Sequence, residues 1–269
     1  MNIENILFGL GLALFAGLST SLGALVIFFI NFKGKSLAKI LTASLGFSAG
    51  VMISVSIFEL IPFAIEETNF FLGTLFFFIG FIIIMIVDFV VPHTYKAENT
   101  NYSNIDAEFG DVSLNQKTEV TRVGYLAALG IAIHNLPEGL ASFSGAVISP
   151  TLGIITAMAI AIHNIPEGLS ISVPLASSGR NKPYAFFIAS LSGLMEPLGA
   201  VIAAIILLPF LDQLGTLLAL LLSFVAGIML FISIDELLPV AFKYDSTNLT
   251  SSSLLIGMIV MVITLLVLH

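Results

Sequence analysis

The chain has 269 residues, 58% of them hydrophobic and only 10% charged, with no cysteine and a formal net charge of −8. A soluble domain carries roughly 25% charged residues because its surface must stay solvated, so this composition excludes an ordinary soluble domain and reads as an all-α integral membrane protein. The missing cysteine excludes disulfides, thiolate metal sites and cysteine nucleophiles, and the acidic balance gives no support for a nucleic-acid partner.

A helix needs about 20 apolar residues to cross a bilayer core, and eight runs satisfy this, numbered here as helices one to eight. Continuous apolar runs favour helices over barrel strands, which alternate over about 10 residues. Helix one is expected over 5–30. No Lys or Arg precedes it and Glu4 opens it, so it reads as a spanning helix and not as a cleavable signal peptide. Helix two, 38–65, carries Glu59 followed by Pro62. Helix three, 70–92, carries Asp88 and ends at Pro92 and His93, where a capping or interfacial role is expected for Asp88.

Residues 94–121 are polar and read as a mobile cytoplasmic linker between helices three and four. Helix four, 122–148, carries His134, Asn135, Pro137, Glu138 and Gly139. Helix five, 151–177, repeats the pattern as His163, Asn164, Pro166, Glu167 and Gly168. Helix six, 184–208, holds Glu196 and Pro197. Helix seven, 213–242, holds Asp235, Glu236 and Pro239, and helix eight covers 251–268.

With this count all nine Lys and Arg residues fall on one side: Lys33, Lys35, Lys39, Lys96, Lys117, Arg122, Arg180, Lys182 and Lys243. The other side has Glu4, Glu66, Glu67 and Asp212. Basic residues are retained on the cytoplasmic face, so both termini are expected outside a cell inner membrane. The chain reads as one membrane domain, 1–269.

Two internal repeats stand out. Residues 128–143, ALGIAIHNLPEGLASF, match 157–172, AMAIAIHNIPEGLSIS, at ten of sixteen positions. Residues 44–64, SLGFSAGVMISVSIFELIPFA, match 221–241, LLSFVAGIMLFISIDELLPVA, at eleven of twenty-one. Helices four and five run in opposite directions, as do two and seven, so each pair is an inverted repeat. Carriers built this way bind substrate near the midplane at the repeat interface, often at broken helices.

Seven carboxylates lie in these runs: Glu59, Asp88, Glu138, Glu167, Glu196, Asp235 and Glu236. Each costs at least about 2.5 kcal/mol near the bilayer centre. Protonation, as in a proton relay, or a bound cation can compensate; no Lys or Arg is expected inside the bundle to pair with them, which argues for a cation. His134 and Glu138 are four residues apart and share a helical face, as do His163 and Glu167. Imidazole with carboxylate suits zinc and neighbouring divalent ions better than magnesium or calcium. Glu138 and Glu167 can bridge two ions, and Glu196 can supply a further carboxylate. Glu59 and Glu236 lie near helix ends and can serve structure by snorkelling; the functional reading puts Glu59 near the outer mouth to receive the ion, with Asp235 and Glu236 near the inner mouth to release it.

HNLPEG at 134–139 and HNIPEG at 163–168, on successive helices, resemble the signature of the ZIP family of metal transporters. LGFSAGVMISVSIFELIP at 45–62, SGLMEPLGA at 192–200 and SIDELLPVA at 233–241 resemble segments of its bacterial branch. The resemblance implies an eight-helix bundle, a homodimer, and movement of zinc, with iron, manganese, cobalt or cadmium as lesser substrates, into the cytoplasm. It also implies a binuclear site, with His134, Glu138, His163 and Glu167 in the zinc-preferring half. Asn135, Glu138, Asn164, Glu167 and Glu196 would form the other. A histidine-rich loop between helices three and four, common among relatives, is missing. No P-loop motif is present, so the chain uses no ATP by itself. No resident cofactor is required and no enzyme is implied. A metal exporter with the same site, or an intramembrane di-metal enzyme, are the alternatives, the latter weakened by the lack of an HExxH motif.

Overall fold

The computed structural model describes residues 3–30, 35–90, 114–206, 214–244 and 248–268. Lys33, Pro92, His93, Lys96, the polar run 98–104, Asp212 and His269 therefore lie outside the described residues. All eight expected helices are present. Helix one runs Ile3–Leu25 and tightens into a turn at Val26–Phe28. Helix two is Lys35–Val55, widened over Ser56–Leu60 and continued as Ile61–Glu67. Helix three is Phe70–Val90, helix four Leu114–Ile148 and helix five Pro150–Ser177. Helix six breaks into Lys182–Gly193 and Met195–Ile206. Helix seven is Leu214–Phe231, widened over Ile232–Leu237 and continued as Leu238–Lys243, and helix eight is Leu249–Leu268.

Seven of the eight are long and apolar enough to cross a membrane. Helix four falls outside that set because His134, Asn135, Glu138, Ser142 and Ser144 interrupt its apolar run, and all five are fully buried or nearly so. Helix four also begins at Leu114 instead of near 122, so the stretch read as the end of a loop is its first two turns.

The polarity is inverted relative to a soluble protein. Leu7, Phe15, Phe71, Phe78, Ile263 and Leu266 are exposed on helices one, three and eight, while His134, His163, Asn135 and Asn164 are buried inside. Helices one, four, five and six pack around one another. Helix two packs with helix eight and against five; helix seven packs with helix three and against four.

That arrangement has a pseudo-twofold that extends beyond the two repeats seen in the sequence. A Cβ on Gly17 would strike the Gly193 carbonyl, and one on Gly193 would strike that of Gly17. Gly23 lies against the Ile165 carbonyl as Gly199 lies against that of Leu136. Helix one is therefore the mate of helix six. The contacts of Gly50 with Leu254 and of Gly227 with Phe77, and of Gly80 with Phe224 and Gly257 with Phe47, relate two to seven and three to eight in the same way. The widened turns are mates too: Ser56 and Ser233 donate to the Met52 and Met229 carbonyls, each at 2.8 Å. Such turns shift the register of a helix by one residue and gather at functional sites.

Candidate metal centre

Helices four and five are joined by Ser149 alone, whose side chain accepts from the Leu152 backbone N–H at 3.1 Å while Pro150 opens helix five. A Ser cap followed by Pro is a strong helix start, and it turns the chain back within one residue. The two motifs therefore pack antiparallel at the same depth. His134 Nε2 lies 2.9 Å from Glu167 Oε1, and His163 Nε2 lies 3.1 Å from Glu138 Oε1. Each imidazole meets the carboxylate of the opposite motif, so the faces shared at i, i+4 on the two helices meet each other. All four side chains are at most 2% exposed.

The asparagines anchor the neighbours. Asn135 Nδ2 donates to the Ser192 carbonyl on helix six at 3.0 Å, and Asn164 Nδ2 donates to the Ala16 carbonyl on helix one at 3.1 Å. Those two acceptors are mates under the same twofold. Helix six breaks at Leu194, just before Glu196 and Pro197, where proline withholds one helical donor. The break turns Glu196 inward to hydrogen-bond Asn164, and Glu196 is fully buried. Of the seven motif residues named from the sequence, the four His and Glu side chains cross-pair, Asn164 meets Glu196, and Asn135 is held on helix six.

What they leave over is chemically specific. Oε2 of Glu138, Glu167 and Glu196, Oδ1 of Asn135 and Asn164, and Nδ1 of both histidines are buried without a hydrogen-bond partner. Buried polar atoms are normally satisfied, so these orphaned atoms are left available to a bound cation. The four His and Glu side chains pair off across the motifs; the trio of acidic or imidazole groups whose ligand atoms all lie within 4.8 Å of one another is Asp88, Asp235 and Glu236, among the described residues.

The family profile of the ZIP Zinc transporter matches residues 110–265. The zinc transporter ZupT of Chlorobium chlorochromatii is 42% identical over 272 residues, covering 98% of both chains. That of Lysinibacillus sphaericus is 42% identical over 273 residues, again covering 98% of each, and that of Campylobacter jejuni is 39% identical over 287 residues, covering 97% of each. The chain belongs to the ZIP family. ZIP proteins are named as transporters, not as enzymes, and this one is a multi-pass membrane bundle.

A second polar cluster of this ZIP chain corrects the sequence reading. Arg122 was expected in a loop, with no basic side chain inside the bundle. It stands on helix four, its side chain 12% exposed, with Nη2 2.8 Å from Asp88 Oδ1 and Nη1 3.7 Å from Glu236 Oε1. Asp88 is thus buried in an ion pair between helices three and four, not an interfacial cap. Glu236 is buried beside it, and Asp235 is exposed at the same end. Glu59, the mate of Glu236, is half-buried on the widened turn of helix two. Arg122 lies twelve residues before His134 on one continuous helix, which begins at Leu114.

Lys182 Nζ donates to the Ile30 carbonyl at 2.7 Å, Arg180 lies 5.9 Å from the Tyr184 ring, and Tyr184 and Tyr125 share a hydroxyl hydrogen bond at 2.8 Å. These contacts gather Arg180, Lys182 and Tyr125 of helix four at one end of the bundle.

Proposed function

We propose that this protein takes up zinc, with iron, manganese, cobalt and cadmium as lesser substrates, through a binuclear site at the crossing of helices four and five. His134, Glu138, His163 and Glu167 hold one ion. Asn135, Asn164 and Glu196 hold the second, with Glu138 and Glu167 shared between the two. The relatives named as zinc transporters support the ion, as does a donor set mixing imidazole with carboxylate. The observation that carries the reading is the reciprocal crossing of His134 with Glu167 and His163 with Glu138, each side chain keeping a second polar atom without a partner. Each ionised carboxylate there is tolerable at depth because a cation neutralises it.

Movement follows the metal gradient and the membrane potential, worth about 2.3 kcal/mol per charge per 100 mV, so a divalent ion entering a negative interior gains twice that. One half of the pseudo-symmetric bundle rocks against the other to expose the site alternately. The basic end faces the cytoplasm, both termini face outward, and the working unit is a homodimer in the inner membrane. Glu59 receives the ion and Asp235 with Glu236 releases it.

The test is zinc influx into proteoliposomes holding the E138Q/E167Q double variant. Uptake should fall to the protein-free background. Undiminished uptake in a correctly inserted variant would overturn the site, and efflux without influx would make the protein an exporter.

A further inference from the structure

We infer that Thr20 is a ligand-side residue of the same centre: its hydroxyl contacts the transported ion, or that ion's water, on the helix-one flank opposite Glu196. This rests on the binuclear reading above. The twofold that pairs Gly17 with Gly193 and Gly23 with Gly199 pairs Thr20 with Glu196. Both carbonyls confirm the register, since a Cβ on Gly168 would strike that of Thr20 and one on Gly139 would strike that of Glu196. Thr20 therefore abuts the residue after Glu167, as Glu196 abuts the residue after Glu138.

Thr20 is fully buried and its Oγ1 has no hydrogen-bond partner. A helical hydroxyl normally returns its proton to the carbonyl one turn back. Ser56, Ser172 and Ser233 do so here. For Thr20 that acceptor is the Ala16 carbonyl, which already receives Ser19 Oγ at 2.6 Å and Asn164 Nδ2 at 3.1 Å. The local outlet is filled by two donors, one of them from the metal motif itself. Oγ1 lies against Gly193, beside the Ser192 carbonyl that holds Asn135, so its flank offers two orphaned neutral oxygens, Thr20 Oγ1 and Asn135 Oδ1.

The consequence is a lopsided site. On one flank Asn164 is joined to a carboxylate; on the other Asn135 has only a hydroxyl as its neighbour's mate. A neutral oxygen there binds an ion more weakly than a second glutamate would, giving the ion one tight and one loose side on its way through.

The chain has no native cysteine, so T20C is a clean reporter. In membranes bearing T20C, a thiol-alkylating reagent should label position 20, and saturating zinc should slow the labelling about tenfold. E138Q/E167Q placed in the same background should abolish that protection. A soft thiolate should also raise cadmium uptake relative to zinc. In parallel, T20V should raise the zinc KM about three- to tenfold and change the zinc-to-manganese ratio, and T20S should restore both. The inference is overturned if T20C resists labelling, if zinc leaves its labelling rate unchanged, or if T20V keeps the parent KM and ion ratio. Those outcomes leave the centre standing so long as E138Q/E167Q still abolishes uptake. If E138Q/E167Q transports normally, the underlying site fails instead.

Discussion

The middle of this protein obeys its twofold more closely than the two ends do. At the centre the polar contacts come as mates, His134 with Glu167 and His163 with Glu138, Asn135 on Ser192 and Asn164 on Ala16, with one exception, the bond of Asn164 to Glu196, whose mate position is Thr20. Toward the basic end, Glu236 meets Arg122, which also holds Asp88. At the opposite end the mate of Glu236 is Glu59, but the mates of Arg122 and Asp88 are Thr151, which is exposed, and Leu265. An inverted repeat with perfect symmetry would present the same face inward and outward. Here the His–Glu crossing is duplicated while the ends differ: one end is laced by an ion pair across helices three, four and seven, and the other is built without that arginine.

If the central symmetry is functional, mates should be interchangeable in their cost. H134A and H163A should each lower zinc uptake about 100-fold or more, since even residues that only support metal ligands cost 10–100-fold, and the two losses should agree within a factor of about three. A large imbalance, read as KM in influx assays, would mean that the ion favours one motif.

The ends should behave oppositely. R122A leaves Asp88 and Glu236 buried without their cation, and breaking a buried pair costs about 3–5 kcal/mol. T151A, its mate, should stay within about 0.5 kcal/mol of the parent, as exposed substitutions do. Thermal unfolding in detergent separates them. Equal effects would mean that the Arg122 pair contributes nothing at its end.

How much of this was legible depends on what each residue must do. Spanning helices were readable because a membrane demands long apolar runs, and the doubled motif because it repeats at ten of sixteen positions. The helix-one and helix-six relation was present as AGLSTSLGA at 16–24 against SGLMEPLGA at 192–200, but its chemistry changes where Thr20 faces Glu196, so it did not read as a repeat. Helices three and eight share little because lipid-facing positions require only hydrophobicity. What tied them in space was the glycine contacts, which need the fold to be seen. Arg122 was misplaced for a different reason. Its charged surroundings look like a loop, and only the partners Asp88 and Glu236, from distant stretches of chain, make it tolerable inside the bundle. The cross-pairing of each His with the other motif's Glu was likewise invisible, since spacing along one helix says nothing about which side chain arrives from the next.

A smaller asymmetry lies just beside the centre. Ser48 Oγ on helix two donates to the Pro166 carbonyl on helix five at 2.7 Å. Its mate on helix seven is Val225, fully buried, which has no hydroxyl to offer the Pro137 carbonyl on helix four. S48A should therefore cost about 1 kcal/mol, the net value of one hydrogen bond, while V225A loses only packing. The informative variant is V225S. If the twofold places position 225 as it places 48, the new hydroxyl reaches the Pro137 carbonyl and offsets part of the lost apolar burial, so V225S should be more stable than V225A. Should V225S be the less stable of the two, the serine is not reaching that carbonyl, and the symmetry stops one layer short of helices two and seven.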